Sequence, residues 1–476
     1  MKLYEELAGH VSALIQEGTL QPGERVPSVR QIVRERRVSP ATAMRAYELL
    51  ESRGLIETRP RSGYYVSEPR DKHAPEPRRG RASARTTRVD VSELVFQILD
   101  AARDRDVVPL GSAFPSPLLF PWPKLARYLG SAARHMDPWS TVESLPPGSL
   151  DLRRQIARRY LKFGTKVSAD EIIITCGALE GLNISLQVLT RPGDAVAVEA
   201  PAFYACLQSI EALGLKAVEI PTDPREGVDL GALAQAIDKH AIRACWFMTT
   251  FQNPLGATMP EAKKRDLVKL LEKHDVPLIE DDVYAELYFG EERPRPAKAF
   301  DTKGGVLHCG SFSKCLAPGY RLGWVAAGKF ATAVQRRKIT TSISTSLPVQ
   351  DGIALLLRQD GYDAHLAKLR RTLASQQGSL LSALQKHLPN GYRVTRPEGG
   401  YFLWVELPRG VDSLEVHRLA LDQGISVAPG PIFSPRREFR NCLRLNYGHP
   451  WSAELDGAVA KLGKIISQPP GGCRHA

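Results

Sequence analysis

The sequence has no apolar run of ~18 residues, the length a spanning helix needs, so no transmembrane helix is expected. It has no CxxC pair, and its seven cysteines, an odd number, are scattered from Cys176 to Cys473. That excludes a disulfide framework and a zinc ribbon, leaves no metal site to predict, and suits a reducing cytoplasm. Nor does the chain open like an exported protein, because Glu5 and Glu6 stand where a signal peptide would begin its apolar stretch. No internal repeat is present. The bulk composition, 43% hydrophobic and 24% charged, is that of a globular chain rather than a disordered one. At 476 residues it exceeds the ~250–300 at which a single core stops growing, so two or more domains are expected.

The net charge of +12 is unevenly spread. Residues 1–89 hold 17 basic and 11 acidic side chains, half the surplus in under a fifth of the chain. Such asymmetry points to a nucleic-acid-facing end on a more neutral body. Within that end, Leu3, Leu7, Val11, Leu14 and Ile15 recur at helical spacing, and Gln21-Pro22-Gly23 breaks the pattern. Ser28 caps a short second helix with Val29, Ile32 and Val33 inward. Ser39 and Pro40 read as cap and first residue of a third helix, which runs to about Arg53 and is closed by Gly54. Leu55–Thr58 and Tyr64–Val66 then flank a turn, a small hairpin. Three helices and a hairpin over residues 1–68 make a winged helix-turn-helix.

The third helix is the candidate recognition helix, with Thr42 and Arg45 near the end that meets base edges. Arg30 and Arg34 on the second helix are placed to clamp phosphates, and Arg59 and Arg61 on the wing to reach groove or backbone. Taken singly, each arginine also reads as solvated surface charge. Clustered on one motif, they point to double-stranded DNA as a partner. Residues 69–89, with three prolines, seven basic residues and almost nothing apolar, read as a flexible linker. It is open to two readings: a solvated tether, or one that touches DNA phosphates.

From about residue 91, short apolar runs alternate with helical patterns: Ile172–Thr175, Ala195–Glu199, Ala217–Ile220, Ala244–Thr250, Pro277–Glu280, Val306–Cys309 and Gly323–Ala327. This predicts a three-layer α/β domain with a mostly parallel sheet over 90–470. A large subdomain covers about 105–335, and a smaller α+β subdomain, with strands at Gly400–Glu406 and Cys442–Asn446, covers about 336–470. In such sheets ligands sit beyond the carboxyl ends of the strands. Four polar clusters fall there: Cys176-Gly177-Ala178 opening a helix, Asn253-Pro254, Asp281 with Tyr284, and Ser311-Phe312-Ser313-Lys314. A lysine, an acid, an amide, a phenol and a phosphate cup suit pyridoxal 5′-phosphate. The lysine forms an imine with the aldehyde, and a carboxylate keeps the pyridine nitrogen protonated so that the ring is an electron sink.

Two resemblances follow. Residues 3–66 resemble a GntR-type winged helix through LQPGERVPSVR at 20–30, VSPATAMRAYELLESRGLI at 38–56 and RPRSGYYV at 59–66. The pattern implies DNA contacts from Ser28, Arg30, Thr42 and Arg45. Pro40 departs from it, where many relatives carry a polar or basic residue. Residues from about 105 to 465 resemble a class I, fold-type I aminotransferase through SFSKCLAPGYRLGW at 311–324, EDDVYAELYF, QNPLG, EAPAFY and CLRLNYG. That resemblance makes Lys314 the imine-forming lysine and Asp281 the partner of the pyridine nitrogen. It implies that Asn253 and Tyr284 bond the ring hydroxyl and that Phe203 stacks on the ring. Gly177, Ala178, Ser311, Ser313 and Arg321 would hold the phosphate, and Arg444 would fork a substrate carboxylate. Asp282 should face away from the ring, as strand neighbours do. Arg444 also reads as a structural ion-pair arginine. Glu143 departs from the family, whose members often place a tyrosine near there to reach the partner subunit's phosphate. Cys315 reads as a small buried filler, or as a redox sensor beside the lysine.

A winged helix joined to such a body resembles the MocR-like subgroup of GntR regulators. The resemblance implies a cytoplasmic homodimer that senses the cofactor, an amino compound, or both, through Lys314. A working aminotransferase with an accessory DNA-binding head is the alternative, since Lys314, Asp281 and Arg444 are all present. A DNA-binding protein with a purely structural body is the third reading.

Overall fold

The computed structural model describes residues 3–16, 19–21, 23–52, 55–59, 62–66, 74–79, 85–101, 106–143, 145–359 and 361–467. They fall into two units, Met1–His73 and Ala74–Ala476.

The first unit has helices at Leu3–Gln16, Val29–Arg36 and Pro40–Ser52, followed by strands β1 (Ile56–Arg59) and β2 (Gly63–Val66) paired antiparallel. Its core is built from one stripe of each helix: Leu7, Ala8 and Val11, then Ile32, then Ala43, Ala46, Tyr47 and Leu50, closed by Ile56 and Val66. Leu3, expected on the inward face, is largely exposed. The second and third helices start where the sequence offers a hydroxyl cap. The Gln31 N–H donates to Ser28 Oγ at 3.2 Å, and the Thr42 N–H to Ser39 Oγ at 3.1 Å. Gly63, at φ 107°, supplies the left-handed backbone with which the hairpin turn enters β2.

The second unit is built on a mixed sheet. Its strands are β3 (Thr86–Arg88), β4 (Ile172–Thr175), β5 (Ala195–Ala200), β6 (Lys216–Asp223), β7 (Gly227–Val228), β8 (Ile242–Phe247), β9 (Leu278–Asp281), β10 (Val306–Ser311) and β11 (Gly323–Ala326). They lie in the order β3-β6-β5-β8-β9-β10-β11-β4, with β7 beside β6. The run from β6 to β10 is parallel, β3 pairs antiparallel with β6 and β11 with β10, and β4, antiparallel to β11, runs in the direction of the central strands. The buried central strands explain why they read as continuous apolar runs. β8 ends at Phe247, three residues earlier than expected, and beyond it Phe251 has a φ of 49°. A second sheet, β12 (Arg393–Val394), β13 (Phe402–Glu406), β14 (Ala428–Pro429) and β15 (Cys442–Asn446), forms the small subdomain with the helices Gly361–His387, Ser413–Leu421 and Ala453–Ile466.

The subdomain boundary differs from the expected one at both ends. The helices Ala331–Ser342 and Leu347–Arg358 pack on helices of the large subdomain, Ala178–Leu189 and Trp122–Arg134 respectively. Residues 108–116, by contrast, are tied to the small sheet. The Val108 N–H donates to Gly424 O and the Ser426 N–H to Val108 O, the Asn446 N–H donates to Leu110 O, and the Ser116 N–H donates to Gly448 O. Of the stretch read as a flexible linker, residues 74–79 and 85–89 belong to the second unit, and β3 pairs with β6 from Thr86↔Val218 to Arg88↔Lys216. Backbone hydrogen bonding decides this, and composition carries no trace of it. Residues 69–73 and 80–84 lie outside the described residues. Among the described residues no helix is long and apolar enough to cross a membrane.

Candidate functional site

The sheet brings the four expected strand ends together. Lys314 sits one turn beyond β10, half-buried, with its ammonium nitrogen donating to Ala113 O at 3.0 Å and lying 3.8 Å from the centre of the Phe114 ring. Burial, then the Arg444 and Arg321 charges, bring its amine down to about 7, against the pull of Asp281. Asp281, the last residue of β9, is likewise buried. Burial and the charge of Asp282 push its carboxyl up to about 7, opposed by the Val283 N–H, Trp246 and Lys314. Asp282 faces the other way. It accepts from His308 Nε2 at 2.9 Å and Arg293 Nη2 at 3.1 Å, and these partners hold its carboxyl below the usual range despite burial.

Asn253 links two of the expected functions. Its Nδ2 donates to the Tyr284 hydroxyl at 3.3 Å, and its Oδ1 accepts from Arg444 Nη1 at 3.2 Å. Arg444, on β15, is fully buried among Phe402, Phe433 and Tyr204. Its Nη2 donates to the carbonyls of Gly111 (2.7 Å) and Ser112 (3.3 Å), and its Nε is unpartnered. Among the described residues none of its bonds goes to a carboxylate, which removes the ion-pair alternative. A buried guanidinium held only by carbonyls and an amide keeps its positive charge uncompensated, the chemistry that suits a carboxylate.

The cup residues also converge. Gly177, at φ 80°, caps the helix Ala178–Leu189, and a Cβ there would fall 2.5 Å from Arg321 Nη2, so only glycine admits the guanidinium at this helix N-terminus. Arg321 Nη1 also reaches Ser313 Oγ at 3.4 Å, and the Ser313 N–H donates to Ser311 Oγ at 3.0 Å. Phe203 is half-buried at the start of the helix Tyr204–Ala212, its ring 4.8 Å from that of Tyr204.

The fit to pyridoxal 5′-phosphate can be judged from the polar atoms left over. Asp281 Oδ1 is buried and, among the described residues, has no partner, which suits an acceptor awaiting a ring N–H. The glycine cradle beside Arg321 and the two serines suits a phosphate. The residues present therefore fit the group.

Four neighbours escaped the sequence. Phe114 and Ala113 arrive from some 200 positions upstream of Lys314, Trp246 is an apolar residue inside a strand, and Glu199 sits buried beneath Asp281. Burial pushes the Glu199 carboxyl well up, despite bonds from the Met248 N–H and Gln252. No local signal marks any of them. Cys315 is buried, its sulfur 3.0 Å from the Tyr362 hydroxyl, and burial pushes its thiol up to about 12, away from the thiolate form that a redox sensor uses. Glu143 ends the short helix Ser140–Glu143; its side chain lies outside the described residues.

In the first unit, Arg30, Arg34 and Arg45 are exposed and Thr42 half-exposed. Arg45 lies over the Tyr4 ring at 5.1 Å, and Thr42 shares a 2.8 Å hydroxyl bond with Ser39. Ser28 serves as a helix cap. Arg59 ends β1, but its side chain, like the whole of Arg61, lies outside the described residues.

Residues 3–66 match the family of bacterial regulatory proteins of the gntR type, and residues 140–462 match aminotransferase class I and II. The uncharacterized HTH-type transcriptional regulator YdcR of Escherichia coli K12 is 47% identical over 98% of this chain and 100% of its own length. A second E. coli regulator, YjiR, is 36% identical over 98% and 99%. Among solved structures, the α-aminoadipate aminotransferase LysN of Thermus thermophilus, complexed with N-(5′-phosphopyridoxyl)-L-leucine, superposes with a TM-score of 0.72 at 28% identity. That superposition covers 80% of this chain and 95% of LysN. The aminotransferase domain is thus of the kind that carries pyridoxal phosphate, and the winged helix of the kind that binds DNA. The chain belongs to the GntR regulators of the MocR type, in which a winged helix-turn-helix is fused to a class I aminotransferase domain.

Proposed function

We propose that the protein is a cytoplasmic, homodimeric regulator in which pyridoxal phosphate, held at Lys314, and an amino acid bound through Arg444 set the affinity of the winged helices for an operator. The observation that carries the reading is the coexistence, in one chain, of a third helix with Arg45 exposed, beside the exposed Arg30 and Arg34 of the second, and a convergent set of half-buried Lys314 with buried Asp281, Asn253, Tyr284 and Arg444. When bound, the cofactor supplies a reactive aldehyde and an electron sink. Lys314 supplies the amine, Asp281 the charge opposite the ring nitrogen, and Asn253 with Tyr284 the bonds to the ring oxygen. Gly177, Ala178, Ser311, Ser313 and Arg321 hold the phosphate, and Phe203 covers the ring face. Arg444 orients the amino acid, with Phe114 shielding the lysine from water. On the head, Arg30, Thr42 and Arg45 meet DNA, joined by Arg59 and Arg61 of the wing, while Ser28 orients the second helix.

A ligand alters DNA affinity only by binding the two states of the protein unequally. A gel-shift titration on the upstream DNA of its own gene, with and without pyridoxal phosphate and at two salt concentrations, tests the reading. A specific, cofactor-dependent shift supports it. Salt-sensitive smearing beside steady turnover of amino donors would hand the protein to the aminotransferases, whose residues it retains.

Two further outcomes are expected. The neutral form of Lys314 is the nucleophile, and its amine is brought down to about 7. The rate of covalent attachment of pyridoxal phosphate should therefore climb through neutral pH with a midpoint near 7, rather than toward the ordinary lysine value of 10.5. Stopped-flow absorbance across pH 5.5 to 9 (about three decades of proton activity) reads it. Arg45→Ala should weaken operator binding about fivefold and reduce the salt slope by about 1, while cofactor binding stays unchanged. Fluorescence anisotropy at several salt concentrations measures both.

A further inference from the structure

We infer that Trp246 is a positioning residue for Asp281, turning its carboxylate toward the ring nitrogen of the cofactor. The inference rests on the reading that Asp281 meets that nitrogen. β8 and β9 run parallel with Trp246 opposite Ile279, so Asp281, two residues on, shares a face of the sheet with the indole. Among the described residues, Trp246 Nε1 is a buried donor without a partner and Asp281 Oδ1 a buried acceptor without one. Trp246 already acts on Asp281 as a donor, drawing its carboxyl down against burial and Asp282, although no bond of normal length and angle is made. Glu199, the other carboxyl in the neighbourhood, is engaged by the Met248 N–H at 3.1 Å and Gln252 Nε2 at 3.4 Å. The orphaned donor and acceptor therefore belong to each other, and a small rotation of the carboxylate as the ring seats closes the bond. One Asp281 oxygen is then fixed by the indole, and the carboxylate is held in that orientation once the ring is seated.

Trp246→Phe removes the N–H and keeps most of the ring volume. Its affinity should be compared for pyridoxal 5′-phosphate and for the 1-deaza analogue, which lacks the ring nitrogen. The expected result is a loss of about tenfold for pyridoxal phosphate and less than about twofold for the analogue. Equal losses for both compounds would mean a merely structural tryptophan, and no loss for either would equally overturn the inference. Should wild-type protein fail to prefer pyridoxal phosphate over the analogue, the assignment of Asp281 itself falls. The indole proton resonance of Trp246 in the wild-type protein gives a check that needs no folded variant: it should move downfield when pyridoxal phosphate is added, and a stationary resonance overturns the bond.

A different observation carries a second inference. Residues 74–79, which begin eight positions after the last residue of β2, are fastened to both subdomains at once. The Val394 N–H of β12 donates to Pro75 O at 3.0 Å, and Arg396 and Arg393 reach the carbonyls of Ala74 and Glu76 at 3.3 Å. On the large subdomain Arg225 pairs with Glu76, and Arg79 with Asp229, the cap of the helix Leu230–Lys239. Meanwhile the Gly111 and Ser112 carbonyls that hold Arg444 belong to the segment tied to the small sheet. A carboxylate arriving at Arg444 meets the free Nε beside those carbonyls, on the small subdomain. We propose that residues 74–79 are a strap that senses the spacing of the two subdomains and conveys it to the chain leading into the DNA-binding head.

This rests on the regulator reading. Two double variants test it, Glu76→Ala with Arg79→Ala and Arg393→Ala with Arg396→Ala. The probes are pyridoxal phosphate alone and with an equimolar mix of L-amino acids, and the readout is operator affinity of the full-length protein. Each variant should cut the ligand-induced change to about a third of the wild-type value, with cofactor affinity within about twofold of wild type. A full response in both variants overturns the strap alone. No response in the wild type overturns the regulator reading and the strap with it.

Discussion

Lys314→Ala is expected to abolish covalent capture of pyridoxal phosphate: no visible band on mixing, and no label on the protein after borohydride treatment. The neighbours explain why nothing substitutes for it. Among the described residues at the site, the other cations facing the lysine are Arg444 and Arg321, and a guanidinium is no nucleophile at neutral pH. The same substitution should not weaken the fold. With its amine at about 7 in the folded state and 10.5 in the unfolded one, Lys314 binds fewer protons when folded across that interval. Stability therefore rises with pH between the two values, and the cost of the lysine is full below about 7. The variant should melt at or above the wild-type temperature at pH 7, and the difference should shrink toward pH 10 (about the upper limit of the interval). Calorimetry at the two pH values checks this. A lysine whose loss costs stability at neutral pH would be a structural residue instead.

Arg444→Ala should leave cofactor capture intact and lower the apparent affinity for amino acids by roughly 100-fold. Two charge-assisted bonds to a carboxylate, each worth about 1.5–3 kcal/mol, set that scale, with about 1.4 kcal/mol per factor of ten. Arg444→Lys should recover only part of it, because an ammonium cannot fork a carboxylate. Spectral titration of the cofactor-loaded protein with L-amino acids reads both variants. Amino acids with a blocked carboxyl group should not distinguish them from wild type.

Much of this site was legible before any coordinates, for a physical reason. Ser311 to Lys314, Asp281, Asn253 and Gly177 all follow apolar runs, and the ends of parallel strands are where a chain must leave the sheet and expose polar groups. The convergence of those ends is a property of the topology, so strand-end position predicted neighbourhood. What stayed hidden depends on contacts between distant segments. Nothing around Phe114 says that it will lie over a lysine some 200 residues away. Trp246 reads as one more apolar residue in a buried strand. The basic stretch at 69–89 misled for a related reason: its prolines and arginines describe side chains, whereas Pro75 and Thr86–Arg88 are held by backbone carbonyls and amides. The winged helix was the easier half, since its caps, Ser28 and Ser39, act within three residues of themselves.

The short strand β3 has a consequence for anyone wishing to separate the two halves. It covers the outer flank of β6, and with it gone the amides and carbonyls of Lys216–Val218 would stand open beside an apolar face. Exposed edges of that kind recruit strands from other molecules. A body cut free at residue 90 would thus be sticky, prone to ribbon-like self-association, and a poor proxy for the intact protein. Cut before Ala74, it keeps its own edge guard.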